Sequence, residues 1–135
     1  MGFYKEINEH GPSPYIANVG QYAMANSFYR TVFWTGCHMQ MTLMSIPICS
    51  DIGVEVHEDT DQIIRIEQGR AQLILGECED QMNYQRELRI GDTVFVPAGI
   101  WHNVINVGRI PLKLSSIYAP PHHPAGLVMP VKEEY

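Results

Sequence analysis

From residue 28 to residue 119 the chain is a succession of short runs rich in β-branched and aromatic residues, each closed by a turn signal. The runs are "FYRTVFW", "HMQMTLMSI", "GVEVH", "QIIRIEQ", "AQLILGE", "NYQREL", "TVFVP", "HNVINV" and "LKLSSIYA". Between them stand "TG" at 35 to 36, "QG" at 68 to 69, "IG" at 90 to 91, "PAG" at 97 to 99 and "VGRIP" from 107. Gly, Pro and Asn supply the backbone conformations that tight turns require, and no amphipathic helix separates the runs. Many short strands in close succession predict an all-β antiparallel sandwich or barrel. The flanks differ in composition. Residues 1–27 read as an N-terminal arm with one helical turn around "QYAMANS", residues 28–120 as the barrel, and the Pro-rich residues 121–135 as an extended tail. No internal repeat divides the barrel.

At 135 residues such a domain buries a core without disulfide staples. Its formal net charge of -6 and its scattered Lys and Arg residues exclude a phosphate-neutralising surface, so no nucleic-acid partner is expected. Cys37, Cys49 and Cys78 form no CxxC pair and no even framework, which favours a reducing compartment. The first residues lack the apolar stretch of a signal peptide, position 6 is Glu6 where a myristoylation pattern needs Ser or Thr, and no window has the length of a membrane span. The expectation is a soluble, cytoplasmic protein with no membrane partner.

Polar residues interrupt this strand pattern where packing does not ask for them. In "GVEVHEDTDQIIRIEQG", residues 53 to 69, a carboxylate (Glu55), an imidazole (His57) and an amide (Gln62) fall close together. Residues two apart in a strand share a face, so Glu55 and His57 can converge on one centre, as can His57 and Asp59. Further along, "GDTVFVPAGIWHNVIN" fixes Gly91, Pro97, Gly99, His102 and Asn106. That spacing resembles the second motif of the cupin superfamily, G(X)5PXG(X)2H(X)3N, at every specified position.

The earlier stretch then resembles the first cupin motif, G(X)5HXH(X)3,4E(X)6G, in altered form. Counting back from Gly69, Gln62 stands at the family's metal-binding Glu, His57 at the second His, Glu55 at the first His and Cys49 at the leading Gly. This register leaves "EDTD" as a turn, where Asp and Thr are at home, and is preferred to the His57/Asp59 pairing. The resemblance covers residues 37 to 118 and implies a jelly-roll barrel (a double-stranded β-helix). It also implies one divalent transition metal per chain (Fe, Mn, Ni, Co or Zn) held by Glu55, His57, Gln62 and His102. Imidazole and oxygen donors suit those ions, and the absence of thiolates disfavours a structural zinc site. Family habit implies a homodimer, with "YRTVFW" as a contributor.

Each polar residue also has a plainer reading. His102 could be a hydrogen-bonded core histidine, Glu55 a solvent-facing strand residue, and Gln62 the remnant of a lost metal site. In "HMQMTLM", Met39, Met41 and Leu43 read as a buried face and His38, Gln40 and Thr42 as a half-solvated one, with a Met-lined ligand pocket as the alternative. His122 and His123 point apart if extended and read as loop surface. Trp101 reads as pocket rim or interface, and the cysteines as small reduced hydrophobes.

The functional expectation is a metal-dependent enzyme acting on a small organic molecule, by dioxygenase-like ring or C–C cleavage. Glu55 would be a ligand at rest and a proton acceptor when displaced. A non-catalytic binding or sensory cupin is the alternative. A sugar isomerase or epimerase is a weaker one, because few cations are expected on the inward faces to hold a diphosphate. Fold and metal do not choose among these.

Overall fold

A computed structural model describes residues 9–133; the expectations for residues 1–8 and 134–135, including the features of the extreme N-terminus, lie outside the described residues. Among the described residues one helix and nine strands follow in order: α1 (Val19–Ala25), β1 (Arg30–Thr35), β2 (Gln40–Ile46), β3 (Asp61–Gln68), β4 (Ala71–Gly76), β5 (Tyr84–Leu88), β6 (Thr93–Val96), β7 (Trp101–Asn106), β8 (Leu112–Ala119) and β9 (Val128–Met129). They form two antiparallel sheets, a large one in the order β6-β3-β8-β2-β1-β9 and a small one in the order β5-β4-β7. This is the all-β antiparallel architecture expected from the strand pattern, in the jelly-roll form that the motif resemblance implies.

The registers show how the barrel interior is organised. Gln40 pairs with Tyr118, Thr42 with Ser116, Met44 with Leu114 and Ile46 with Leu112, while Gln62 pairs with Tyr118 and Ile66 with Leu114. All of these side chains are buried. Because alternate residues face inward, each strand runs from a polar end (Gln40, Thr42, Gln62, Ser116, Tyr118) to an apolar end (Ile46, Ile66, Leu112, Leu114). The small sheet matches it, with His102 at the polar level and Val104, Leu73 and Ala71 beyond. The interior is therefore an apolar plug at one end, in which each fully buried aliphatic side chain contributes roughly 1.5–3 kcal/mol, and a polar chamber at the other.

Two motif residues hold this frame. Asn106 Nδ2 donates to the carbonyls of Ile46 and Ile110 at 3.0 Å each and Pro47 at 3.2 Å, and its Oδ1 accepts from Gly108 N at 2.9 Å. One buried amide thus ties the end of β7 to both neighbouring loops. Gly91 turns the chain into β6 with φ +89, a conformation that costs a residue with a Cβ atom roughly 1–2 kcal/mol.

Three sequence expectations need correction here. "GVEVH" is not a strand: Gly53 turns with φ +87 and only Glu55 makes an isolated bridge, to His102. The face of β2 carrying Gln40 and Thr42 is not half-solvated; it lines the barrel interior and is fully buried. Leu43 is buried on the opposite face, against Ala23 of α1 and Phe33, with Met41 partly buried beside them and Met39 exposed. Both faces of β2 are covered because α1, capped by Asn18 Oδ1 accepting from Gln21 N at 3.0 Å, lies over the outside of the large sheet. The cysteines, finally, are free and all three exposed, so they are not core hydrophobes. Among the described residues no helix is long and apolar enough to cross a membrane.

Candidate metal centre at the polar end of the barrel

The chamber is assembled from both sheets. Glu55 and His102 exchange both backbone hydrogen bonds, N to O at 2.9 Å each way, which places their side chains on one face. His57, two residues on, shares that face, and its carbonyl accepts from Gly99 N at 2.9 Å. Here the "PAG" turn meets the segment carrying the first motif. Gln62 enters from β3 on the large sheet.

The donor atoms converge. One ligand atom each from Glu55, His57 and His102 lies within 4.8 Å of the others. Glu55 Oε1 is 3.4 Å from His57 Nε2 and 3.9 Å from His102 Nε2. Gln62 Oε1 is 3.1 Å from His102 Nε2, and its Nε2 is 3.4 Å from Ser116 Oγ. His57 and His102 are buried, whereas the Glu55 side chain keeps 26% of its surface exposed. Solvent therefore approaches the centre from the Glu55 side.

Charges are held off their ordinary values. Burial works against ionisation of Glu55, but the adjoining His57 ring, the Arg30 guanidinium and His102 outweigh it and lower its pKa. His102 is lowered by burial, so it is neutral near pH 7. Tyr118, fully buried next to Glu55, has its phenol pKa raised, first by burial, and stays protonated.

Do these residues fit a metal ion? His102 Nδ1 lies 2.9 Å from the Ile100 carbonyl; donating there leaves the Nε2 lone pair facing the Glu55 and Gln62 oxygens. His57 Nε2 is buried with no hydrogen-bond partner among the described residues. With both Nε2 atoms unprotonated, this cluster of acceptors can hold a cation at its centre; a proton on His57 Nε2 shared with Glu55 Oε1, 3.4 Å away, or a turned Gln62 amide would fill it instead. For metal–ligand bonds of 2.0–2.2 Å, neighbouring donors sit about 3.0–3.5 Å apart, so the observed spacings close on an ion with side-chain movements of about 1 Å or less. The donor set fits.

Of the four residues expected to ligate, the structure brings Glu55, His57 and His102 together and sets Gln62 against His102; Asp59 is exposed in the turn. Sequence reasoning missed Arg30, which faces the chamber from β1 with its side chain 8% exposed and Nη2 3.8 Å from Glu55 Oε2. Its phase in the strand, two residues before the buried Val32, was the signal available. It also misjudged the histidine pair, which does not lie apart on the surface. Although His122 is exposed overall, its ring stands 4.2 Å from that of His57 and stacks on Tyr118 at 5.4 Å. His123 meets Tyr118 edge-on at 5.2 Å. Gln40 anchors this segment, its Oε1 accepting from the backbone N–H groups of both histidines at 3.1 and 2.9 Å, so the tail returns over the chamber mouth. Trp101 is partly buried beside His102.

The comparisons with known proteins agree with the fold. An uncharacterized protein, YrkC, from Bacillus subtilis is 48% identical over 95% of this chain and 69% of its own length. The crystal structure of BH2720 from Bacillus halodurans superposes with a TM-score of 0.91 at 44% identity, over 92% of this chain and 94% of that one. A predicted oxalate decarboxylase from Thermotoga maritima shares the fold with a TM-score of 0.55 at 20% identity, over 63% and 69% of the two chains. The Cupin domain family matches residues 42–118, the segment that carries Glu55, His57, Gln62, His102 and the Asn106 tie, and the chain belongs to the cupin family.

Proposed function

We propose that the protein is a metal-dependent enzyme acting on a small organic molecule, with oxidative C–C cleavage as its reaction class. The observation that carries this is the convergence of Glu55 with two buried imidazoles, one of which, His57, has no hydrogen-bond partner for Nε2 among the described residues. A divalent transition metal held by Glu55, His57 and His102, with Gln62 as a fourth oxygen donor, would supply Lewis acidity and a template at an open position.

The chain's own groups do the rest. The Ile100 carbonyl orients His102, and Glu55, partly exposed and ionised, can accept a proton from a bound substrate. Tyr118, His122 and His123 narrow the mouth and limit the entry of water. The name of the Thermotoga maritima neighbour supplies the first substrate to screen, oxalate; the likeness itself carries only the fold.

The test is metal content by inductively coupled plasma mass spectrometry, on protein purified without chelator or nickel affinity, beside a His57→Ala/His102→Ala double variant. The expected result is about one Fe, Mn, Ni, Co or Zn per chain, lost in the variant. A wild type that stays empty after reconstitution refutes the metal centre. One observation favours a second reading, a binding or sensory cupin without turnover: Gln62 is neutral and already engages His102 and Ser116. A metal-free protein that retains a small molecule through purification would establish it.

A further inference from the structure

Arg30 is a buried charge with few acceptors among the described residues. Its Nε has no partner among the described residues. Nη1 and Nη2 reach only the thioethers of Met129 and Met44, at 3.6 and 3.8 Å, and the guanidinium carbon stands 5.6 Å from the Tyr29 ring centre. Glu55 Oε2, at 3.8 Å, is a counter-charge beyond hydrogen-bonding distance. A guanidinium offers five donors in a planar fork that matches a carboxylate edge to edge. Leaving it buried with weak sulfur acceptors is costly unless something else completes it.

Charge counting gives the completing group its sign. Relative to the family's three-histidine, one-glutamate pattern, this chain moves the carboxylate from the Gln62 position to the Glu55 position, which leaves the ligand charge unchanged. Arg30 then adds a positive charge that the pattern does not have. A divalent ion held by these ligands would share the Glu55 charge that otherwise faces Arg30 at 3.8 Å. The chamber then holds a net charge of about +2 in a poorly solvated space, which favours an anion.

We propose that Arg30 is the substrate-recognition residue of this centre and that the substrate is a short-chain organic acid. Its carboxylate lies on the Arg30 guanidinium, and a second oxygen faces the cluster of Glu55, His57 and His102 donor atoms. Only the width of the Glu55 carboxylate separates the guanidinium from the imidazoles, which restricts the acid to a short chain. Arg30 lies on β1, outside the segment matched to the family, residues 42–118, so the family match does not itself account for this specificity. The inference deepens the metal-centre reading and rests on it for the position of the second oxygen, although the contact with Arg30 does not need the ion.

The experiment is isothermal titration of malonate, and of the neutral isostere malonamide, into zinc-loaded and metal-stripped protein. Zinc is redox-inert, so binding is read without turnover. Wild type is compared with Arg30→Met and Arg30→Lys, with zinc content measured on the same samples. Zinc-loaded wild type is expected to bind malonate in preference to malonamide. Loss of charge-assisted hydrogen bonds weakens malonate binding about 10- to 100-fold in Arg30→Met. Arg30→Lys falls between, and malonamide binding is unmoved. If Arg30→Met does not fold, the Arg30→Lys comparison decides. Malonate binding that is absent in wild type, or equal in wild type and variants, overturns the proposal. Protein that takes up no zinc yet binds malonate through Arg30 refutes the metal centre alone, whereas zinc uptake with Arg30-independent malonate binding refutes the inference alone.

Discussion

Gln62→Glu exposes the electrostatics of the chamber most directly, because its effect on stability should depend on whether a metal is present. Gln62 is 3% exposed. Its Oε1 is 3.1 Å from His102 Nε2, which is itself 3.9 Å from Glu55 Oε1. A carboxylate placed there stands within about 4–7 Å of the Glu55 carboxylate, a repulsion of roughly 2–4 kcal/mol at an effective dielectric constant near 20. Uptake of a proton by His102, between the two carboxylates, relieves part of it and reverses the downward shift that burial imposes on that imidazole. A net loss of about 2 kcal/mol in chelator lowers the melting temperature of a domain this size by roughly 5–10 °C. Saturating Mn2+ reverses the sign, since a second carboxylate on a divalent ion tightens binding, and tighter binding to the folded state raises stability by mass action. Scanning calorimetry of wild type and variant, in EDTA and in Mn2+, reads both halves. A variant no less stable than wild type in EDTA, or equally destabilised with and without the ion, would refute the reasoning.

Two further predictions concern the frame around the site. Cys49 is the one non-glycine residue with positive φ among the described residues, at φ 67, and its side chain is exposed. Cys49→Gly should therefore relieve about 1–2 kcal/mol of backbone strain against about 0.5–1 kcal/mol of extra unfolded-state entropy. The net gain is on the order of 0.5–1 kcal/mol by urea unfolding, whereas Cys49→Ala, which keeps the Cβ atom, gains nothing; equal midpoints for the two variants would discount the strain. His123 has its pKa pushed down to about 4, first by burial and then by the Arg30 and His122 charges. Neutral in both states above about pH 6.5, it takes up a proton in the unfolded chain before the folded one as pH falls. Stability should decline from about pH 6.5 to pH 4 by an amount on the order of 2 kcal/mol after allowance for its partial exposure. His123→Gln should flatten that slope in a urea-midpoint series, and an unchanged slope would assign the pH dependence elsewhere.

The strands were legible because alternation and turn chemistry are local properties, and "QIIRIEQ" or "LKLSSIYA" can be little else. "GVEVH" has the same composition, yet it becomes a turn and a single bridge because Gly53 takes a left-handed conformation that composition does not announce. The face of β2 was misjudged for a physical reason. Gln40 and Thr42 look solvated beside Met39 and Leu43, but the barrel interior is polar at that level and α1 covers the other face. The second motif located His102 and Asn106 because fixed spacing carries geometry. Arg30 and the His122–His123 pair reach the chamber through tertiary return, one from the first strand and the other from the tail, and no local pattern records that meeting. The motif register aligns Cys49 with the leading glycine, and its positive φ of 67 is a conformation that glycine adopts without a steric cost.

The grading of each strand from polar to apolar also says how such a barrel can change its chemistry. Ile46, Ile66, Leu112 and Leu114 hold the sheets together at one level. The residues that meet a ligand occupy the other ends of the same strands, several residues away. Substitutions at the ligand end, such as an exchange of charge between positions 55 and 62, leave the cluster of aliphatic contacts untouched, so effects at the two levels should be close to additive. Stability and specificity are thus separable along the length of a single strand, and a chain built this way can explore new substrates without repeatedly risking its fold.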